Sequence, residues 1–316
     1  MKPEAEGSWK EVLMASPGPR SLRESFILSV KGACMGAADT VPGVSGGTIA
    51  LITGIYEQLL AAIRSFDSTV ISRLLRLDMK GAVAHVHTRF LLFLFAGVAA
   101  AVISLARIVS HLLAFHPVPT WSLFFGLIAA SIWSVGRKVD DWRLPTACMF
   151  FAGGVFAFVL VGLVPATTPE TPVVVFFSGM LAICAMILPG ISGAFILVIL
   201  GKYEFIVGTL KSPFLPENMF VIAVFALGCG VGLAGFSRIL KYLLESYRSF
   251  TMAFLTGLML GSLRRIWPWK AEALQRNVLP EPGLDLLLAV CLMLAGAALV
   301  IMIERLSLPG KPDGGS

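Results

Sequence analysis

The sequence predicts an all-α polytopic membrane protein built as two inverted repeats, each a re-entrant helical hairpin plus about three transmembrane helices. Three observations carry this reading. Hydrophobic residues make up 57% of the 316 and charged residues 14%, the balance of a chain whose helices face lipid. A motif running from Pro42-Gly-Val-Ser-Gly46 to Gly54-Ile-Tyr-Glu57 returns 147 residues later, from Pro189-Gly-Ile-Ser-Gly193 to Gly201-Lys-Tyr-Glu204. Pro-Gly stops a helix and Ser-Gly restarts one. Breaks of this kind inside apolar sequence, at matching places in two halves, point to the binding region of a membrane transporter. Finally, the basic residues are distributed unevenly among the loops.

The first apolar stretch runs from about Phe26 to Ile63 and holds the first motif. Lys31 precedes Pro42 by 11 residues and Glu57 follows Ser45 by 12. Each arm is then roughly 16–18 Å at 1.5 Å per residue, about half of a hydrocarbon core of roughly 30 Å. Length alone fits a hairpin or a broken crossing. Residues 61–89 carry Arg64, Arg73, Arg76, Lys80 and Arg89, and residues 1–31 carry five more Lys or Arg. A hairpin keeps both groups on one, cytoplasmic, side, as the positive-inside rule prefers.

Spans follow near residues 90–110, 118–136 and 144–164, then a second hairpin near 173–204 entering from the other side. Spans near 218–236, 250–263 and 284–303 complete the chain. Loops placed inside hold 18 Lys and Arg against 6 outside. The outer cluster Arg264, Arg265, Lys270 and Arg276 breaks the rule, so it marks either a topology error or a functional basic patch. Leu123-Phe-Phe-Gly126-Leu with Ser131 echoes Phe254-Leu-Thr-Gly257-Leu with Ser262, which extends the repeat beyond the motif. Three spans per half is an odd number, so the halves are expected to be inverted. The expected organisation is a cytosolic tail over 1–20, repeats over 21–164 and 165–305, and a cytosolic tail over 306–316, with both termini cytoplasmic. The start of the chain does not read as a signal peptide.

The net charge of +6 fits basic cytoplasmic loops, and no aromatic-plus-basic patch suggests nucleic acid. Five cysteines lie in apolar sequence without Cys-x-x-Cys spacing and read as small buried hydrophobes. No metal site or cofactor is expected; His85-x-His87 lacks partner ligands. Gly230-x-Gly232-x-x-Gly235 lies in an apolar helix with no preceding strand, so it reads as close helix packing. No nucleophile–base pair or paired carboxylate falls in a span, so an enzyme is not expected.

The candidate site is the pair of tips. Pro42 removes a donor, Gly43 permits a turn, Ser45 is a natural N-cap, and Gly46 and Gly47 let a ligand approach the backbone. A helix restarting there presents unpaired N–H groups and partial positive charge, a favourable place for phosphate or carboxylate. Pro189, Gly190, Ser192 and Gly193 repeat this from the opposite face, so one anion can sit between the tips. Asp39 is the acid in the middle of an apolar segment, where the second repeat has Met186; it is a candidate carrier of a coupling proton or cation. Arg107, near the outer end of its span, is a candidate for catching a phosphate. Tyr56-Glu57 and Tyr203-Glu204 are expected at headgroup depth. The physics specifies an anion without saying which, and a transporter of a small soluble anion or an intramembrane lipid phosphatase stay open as alternatives.

Residues 31–60, with Asp39-Thr-Val-Pro-Gly-Val-Ser-Gly-Gly-Thr48, and Ala185-Met-Ile-Leu-Pro-Gly-Ile-Ser-Gly193 strongly resemble the bacterial polyprenyl-phosphate transporter family, over roughly residues 20–305. The resemblance implies a plasma-membrane flippase that returns undecaprenyl phosphate from the outer to the inner leaflet. It places the family's motif on Asp39, Pro42, Gly43, Ser45, Gly46, Gly47 and Thr48, and on Pro189, Gly190, Ser192 and Gly193. The second copy has Ala194 and Phe195 where the first has Gly47 and Thr48, so the first tip is the stronger candidate.

Overall fold

Long apolar runs punctuated by Pro-Gly and Ser-Gly fold as helices joined by short turns. The computed structural model describes residues 8–41, 43–271 and 276–307. The first half comprises α1 (Trp9–Ala15), α2 (Leu22–Asp39), α3 (Gly46–Ile52), α4 (Tyr56–Arg64), α5 (Ser68–Leu75), α6 (Met79–His85), α7 (Thr88–Phe115), α8 (Pro117–Gly136) and α9 (Leu144–Leu160). The second comprises α10 (Pro172–Ile187), α11 (Gly193–Ile199), α12 (Tyr203–Lys211), α13 (Pro216–Ser246), α14 (Arg248–Ser262), a two-residue ladder of β1 (Lys270–Ala271) with β2 (Arg276–Asn277), and α15 (Leu284–Ser307). Helices α7, α8, α13 and α15 are long and apolar enough to cross a membrane.

The same packing occurs in both halves. Helix α2 lies on α7 as α10 lies on α13, and α9 lies on α14 as α15 lies on α8. A single residue joins α7 to α8 and α13 to α14, His116 at φ −134°, ψ 58° and Tyr247 at φ −136°, ψ 46°. Thr120 Oγ1 donates to the Leu112 and His116 carbonyls, and Thr251 Oγ1 donates to those of Leu243 and Tyr247. Each hydroxyl adds a second bond to carbonyls that already accept a backbone N–H, and so ties the two helices together across the reversal.

Each hairpin has its two ends together. Lys31 Nζ donates to the Thr53 carbonyl at 2.8 Å and Lys138 Nζ to that of Leu51 at 2.9 Å, so the far end of α3 abuts the segment before α9. The far end of α11 abuts the segment after α9: the Ala166 N–H donates to Ile199 at 2.8 Å and the Thr168 hydroxyl to Leu200 at 2.6 Å. With 17 residues, α9 is about 25 Å long. The hairpins therefore enter from opposite ends of the bundle.

Several expectations need adjusting. The return arm is only Gly46–Ile52; the chain then turns by 117° into α4, and by 113° between α11 and α12. The turns pass through Gly54 at φ +73° and Gly201 at φ +63°, a conformation that favours glycine. Tyr56 is consequently folded into the core at 2% exposure, not at headgroup depth, whereas Tyr203 is 41% exposed. Helix α13 outruns its expected span, and α9 and α14 are shorter than the roughly 20 residues of a full crossing. The basic stretch expected as loop contains α5 and α6, which have no counterpart in the second half. Of Gly230, Gly232 and Gly235 on α13, Gly232 alone meets a neighbouring helix, as Gly228 before them also does; a methyl group at Gly230 or Gly235 would touch nothing within 4 Å.

Candidate functional site

The tip of the first hairpin is built from short-range bonds. Thr40 Oγ1 donates to the Ala37 carbonyl at 2.7 Å and the Val41 N–H to Ala38 at 3.0 Å, closing off α2. Gly43, at φ +90°, reverses the chain. Ser45 Oγ accepts the Gly47 N–H at 3.1 Å, and the Thr48 N–H donates to the Ser45 carbonyl at 2.9 Å. Asp39 Oδ1 accepts the Gly46 N–H at 2.7 Å while the residue stays exposed. The first three N–H groups of α3 are therefore already taken, one of them by the tip's own carboxylate. Pro42 lies outside the described residues.

At the second tip Pro189 is buried and Gly190, at φ +85°, makes the same reversal. Ser192 makes no side-chain capping bond to α11. Among the described residues no acceptor is found for the Gly193, Ala194 and Phe195 N–H groups, and Ala194 is exposed. Met186, at the position of Asp39, is exposed and offers no carboxylate.

The tips meet directly. Tyr56 Oη donates to the Ile187 carbonyl at 3.0 Å, Ser45 Oγ to that of Leu188 at 3.2 Å, and the Gly190 N–H donates to Thr48 Oγ1 at 3.0 Å. Three side chains of the first half thus satisfy three neighbouring backbone groups where the second half is broken. Buried away from water, those groups demand partners. This explains the sequence asymmetry: Thr48 supplies an acceptor, and Gly47 leaves room for the Ile187 carbonyl, which a methyl group there would approach to 2.9 Å.

Phe195, which replaces a threonine in the second copy, has a different neighbour. The Arg265 guanidinium lies over its ring, 4.9 Å from the centroid. The Arg265 stem runs beside Gly43, where Cγ would stand 2.9 Å from an added methyl. Arg265 is half-buried, and its guanidinium forms no hydrogen bond or ion pair with the described residues. It is the cation that the structure brings to both tips, at the cluster flagged by the charge count. Arg107 is not brought there: it is exposed on α7 and makes no polar contact with the described residues. The interior role of Tyr56 was also missing from the sequence reading; its Gly54 turn is the signal that would have found it.

Asp39, Gly43, Ser45, Gly46, Gly47 and Thr48 therefore form one contiguous cluster with Pro189, Gly190, Ser192 and Gly193. No group of three or more His, Cys, Asp or Glu suited to a metal occurs among the described residues. The arrangement offers a meeting point of broken helices with open backbone donors on one side, a carboxylate on the other, and a guanidinium alongside. Unpaired N–H groups and a guanidinium are chemistry that suits an anionic group.

Residues 35–278 match the family described as undecaprenyl phosphate translocase-like. A polyprenyl-phosphate transporter of Vibrio cholerae is 43% identical over 297 residues, covering 87% of this chain and 95% of that protein. A polyprenyl-phosphate transporter of Staphylococcus aureus is 32% identical over 259 residues, covering 77% and 86%. No solved structure gives a significant match. With most of its length matched, the chain belongs to the undecaprenyl phosphate translocase-like family.

Proposed function

We propose that the protein flips undecaprenyl phosphate, or a closely related polyprenyl phosphate, from the outer to the inner leaflet of the bacterial plasma membrane, without chemical change to the lipid. The observation that carries this reading is the meeting of two broken helical hairpins, entered from opposite ends, inside an apolar bundle. A lipid monophosphate has one small anion that is costly to move through hydrocarbon and a tail that never needs to leave it. A polar passage at the tips, open sideways to lipid, lowers the barrier for the phosphate alone. On this reading the halves are inverted repeats, both termini are cytoplasmic, and the face carrying Arg264 and Lys270 is the outer one. Asp39 carries the coupling proton or cation.

The test is leaflet accessibility of labelled undecaprenyl phosphate in proteoliposomes, with and without a pH or sodium gradient. Protein-dependent redistribution is expected. Its absence under every gradient overturns the reading, and release of inorganic phosphate from the lipid would replace it with hydrolysis.

A further inference from the structure

Beside the tips, the loop after α14 opens into a cavity of about 950 Å³ lined by Arg264, Arg265, Lys270 and Asn277 on one wall and by residues 158–165 on the other. No acidic side chain lines it among the described residues. Two of its three cations are held in place. Arg264 Nη1 donates to the Phe158 carbonyl at 3.0 Å, and its guanidinium lies 4.3 Å from the centre of the Phe158 ring. Lys270 Nζ donates to the Arg265 carbonyl at 2.7 Å and lies 4.8 Å from the centre of the Trp121 ring. Arg265 stands between Gly43 of one tip and Phe195 of the other. Positive charge gathered in a half-buried cavity carries a desolvation cost that an anion relieves.

Building on the flipping reading, we propose that this cavity is the capture site for the phosphate of the lipid. Arg264 and Lys270 draw the anion in, and Arg265 is the binding residue that passes it to the tips. The geometry suits that task. The Phe195 ring orients the guanidinium by a cation–π contact, leaving its planar fork of donors for a phosphate. An apolar wall of residues 158–165 adjoins the basic one, as a headgroup with an attached hydrocarbon tail requires. The charge that the positive-inside rule disfavours on this face is then concentrated where the substrate arrives.

The experiment measures binding of tritiated undecaprenyl phosphate to the full chain in nanodiscs, for wild type, Arg265→Gln, Arg265→Lys and Arg143→Gln. Arg143 is a control from the segment before α9, 80% exposed and paired with Asp141 at 2.7 Å. Loss of charge-assisted hydrogen bonds predicts roughly ten- to hundredfold weaker binding for Arg265→Gln. Arg265→Lys should recover part of it, and Arg143→Gln should match wild type. Thermal melting checks folding. Should Arg265→Gln fail to fold, Arg264→Gln and Lys270→Gln, which leave the tip contacts in place, should each weaken binding severalfold. Wild-type affinity in the folded charge-removal variants overturns the capture site while leaving the flipping reading intact. Absence of binding in wild type overturns the flipping reading itself. Competition by inorganic phosphate at lower concentration than the lipid, or equal competition by neutral polyprenol, also overturns the proposal.

Discussion

The two hairpin tips share Pro-Gly-x-Ser-Gly, yet their polar groups are deployed in opposite ways. The first tip is self-sufficient: Asp39 and Ser45 take the N–H groups of α3, and its side chains reach out to satisfy the second. The second offers its backbone to be satisfied and leaves the start of α11 open, with Phe195 supporting Arg265. One motif thus yields a clasp on one side and an opening on the other. The lesson is that a repeated breaker specifies where helices stop, while the few residues that differ decide what the break does.

The comparison can be broken most sharply at Asp39. Asparagine there still accepts the Gly46 N–H, so Asp39→Asn should fold normally while gradient-driven transport disappears; Met186→Leu, at the matching position, should transport like wild type. Retained gradient dependence in Asp39→Asn would remove the coupling role. Next in size is the reversal itself. Gly190→Ala meets both the positive φ and a methyl 2.9 Å from Met259 Cα, and should cost about 1–3 kcal/mol, read as a lowered melting midpoint. Thr48→Val keeps the shape but leaves the buried Gly190 N–H without an acceptor, at about 1–3 kcal/mol; hydrogen exchange at Gly190 should accelerate.

A smaller effect tests the asymmetry directly. Ser45→Ala removes a cap and should cost about 1 kcal/mol, whereas Ser192→Ala removes no capping bond and should be nearly silent in the same melt. Equal losses would mean that the tips are alike after all. Gly230→Ala is a suitable neutral reference, since a methyl group there meets nothing within 4 Å. The mildest effect is that of pH. Burial, and then the Arg265 charge, push Lys270 down to about 8. Lys270 is therefore charged below that pH and neutral above it, and the cavity faces it with Arg264 and Arg265 as further cations. Lipid binding should weaken a few-fold as pH rises through about 8, with a flatter profile in Lys270→Arg. A pH-independent wild type would exclude Lys270 from phosphate attraction.

Much of this was legible in sequence because the signals are local. Pro-Gly-x-Ser-Gly marks a helix break wherever it occurs, and long apolar runs mark helices able to cross a membrane. The matching Gly126 and Gly257 revealed the wider repeat because each lets its helix approach a neighbouring carbonyl, those of Met293 and Phe150. The pairings were not legible. Thr48 meets Gly190, and Arg265 meets Phe195, across long stretches of chain that no periodicity links. Charge counting marked the cluster of Arg264, Arg265, Lys270 and Arg276 as out of place but gave no hint that Arg265 stands at both tips. Helices α5 and α6, at 8 and 7 residues, are too short for apolar spacing to register.

The bonds from Tyr56, Ser45 and Thr48 to three backbone groups of one short segment act as a latch. Parting the tips breaks all three at once, and at about 0.5–1.5 kcal/mol each the parted form lies some 1.5–4.5 kcal/mol above the closed one. Such a gap keeps the open species between roughly 0.05% and 7% of molecules. If flipping proceeds through that species, turnover is limited by how often the latch lets go. Loosening Thr48 would then raise the share of open molecules, and Thr48 would govern the rate without touching the lipid.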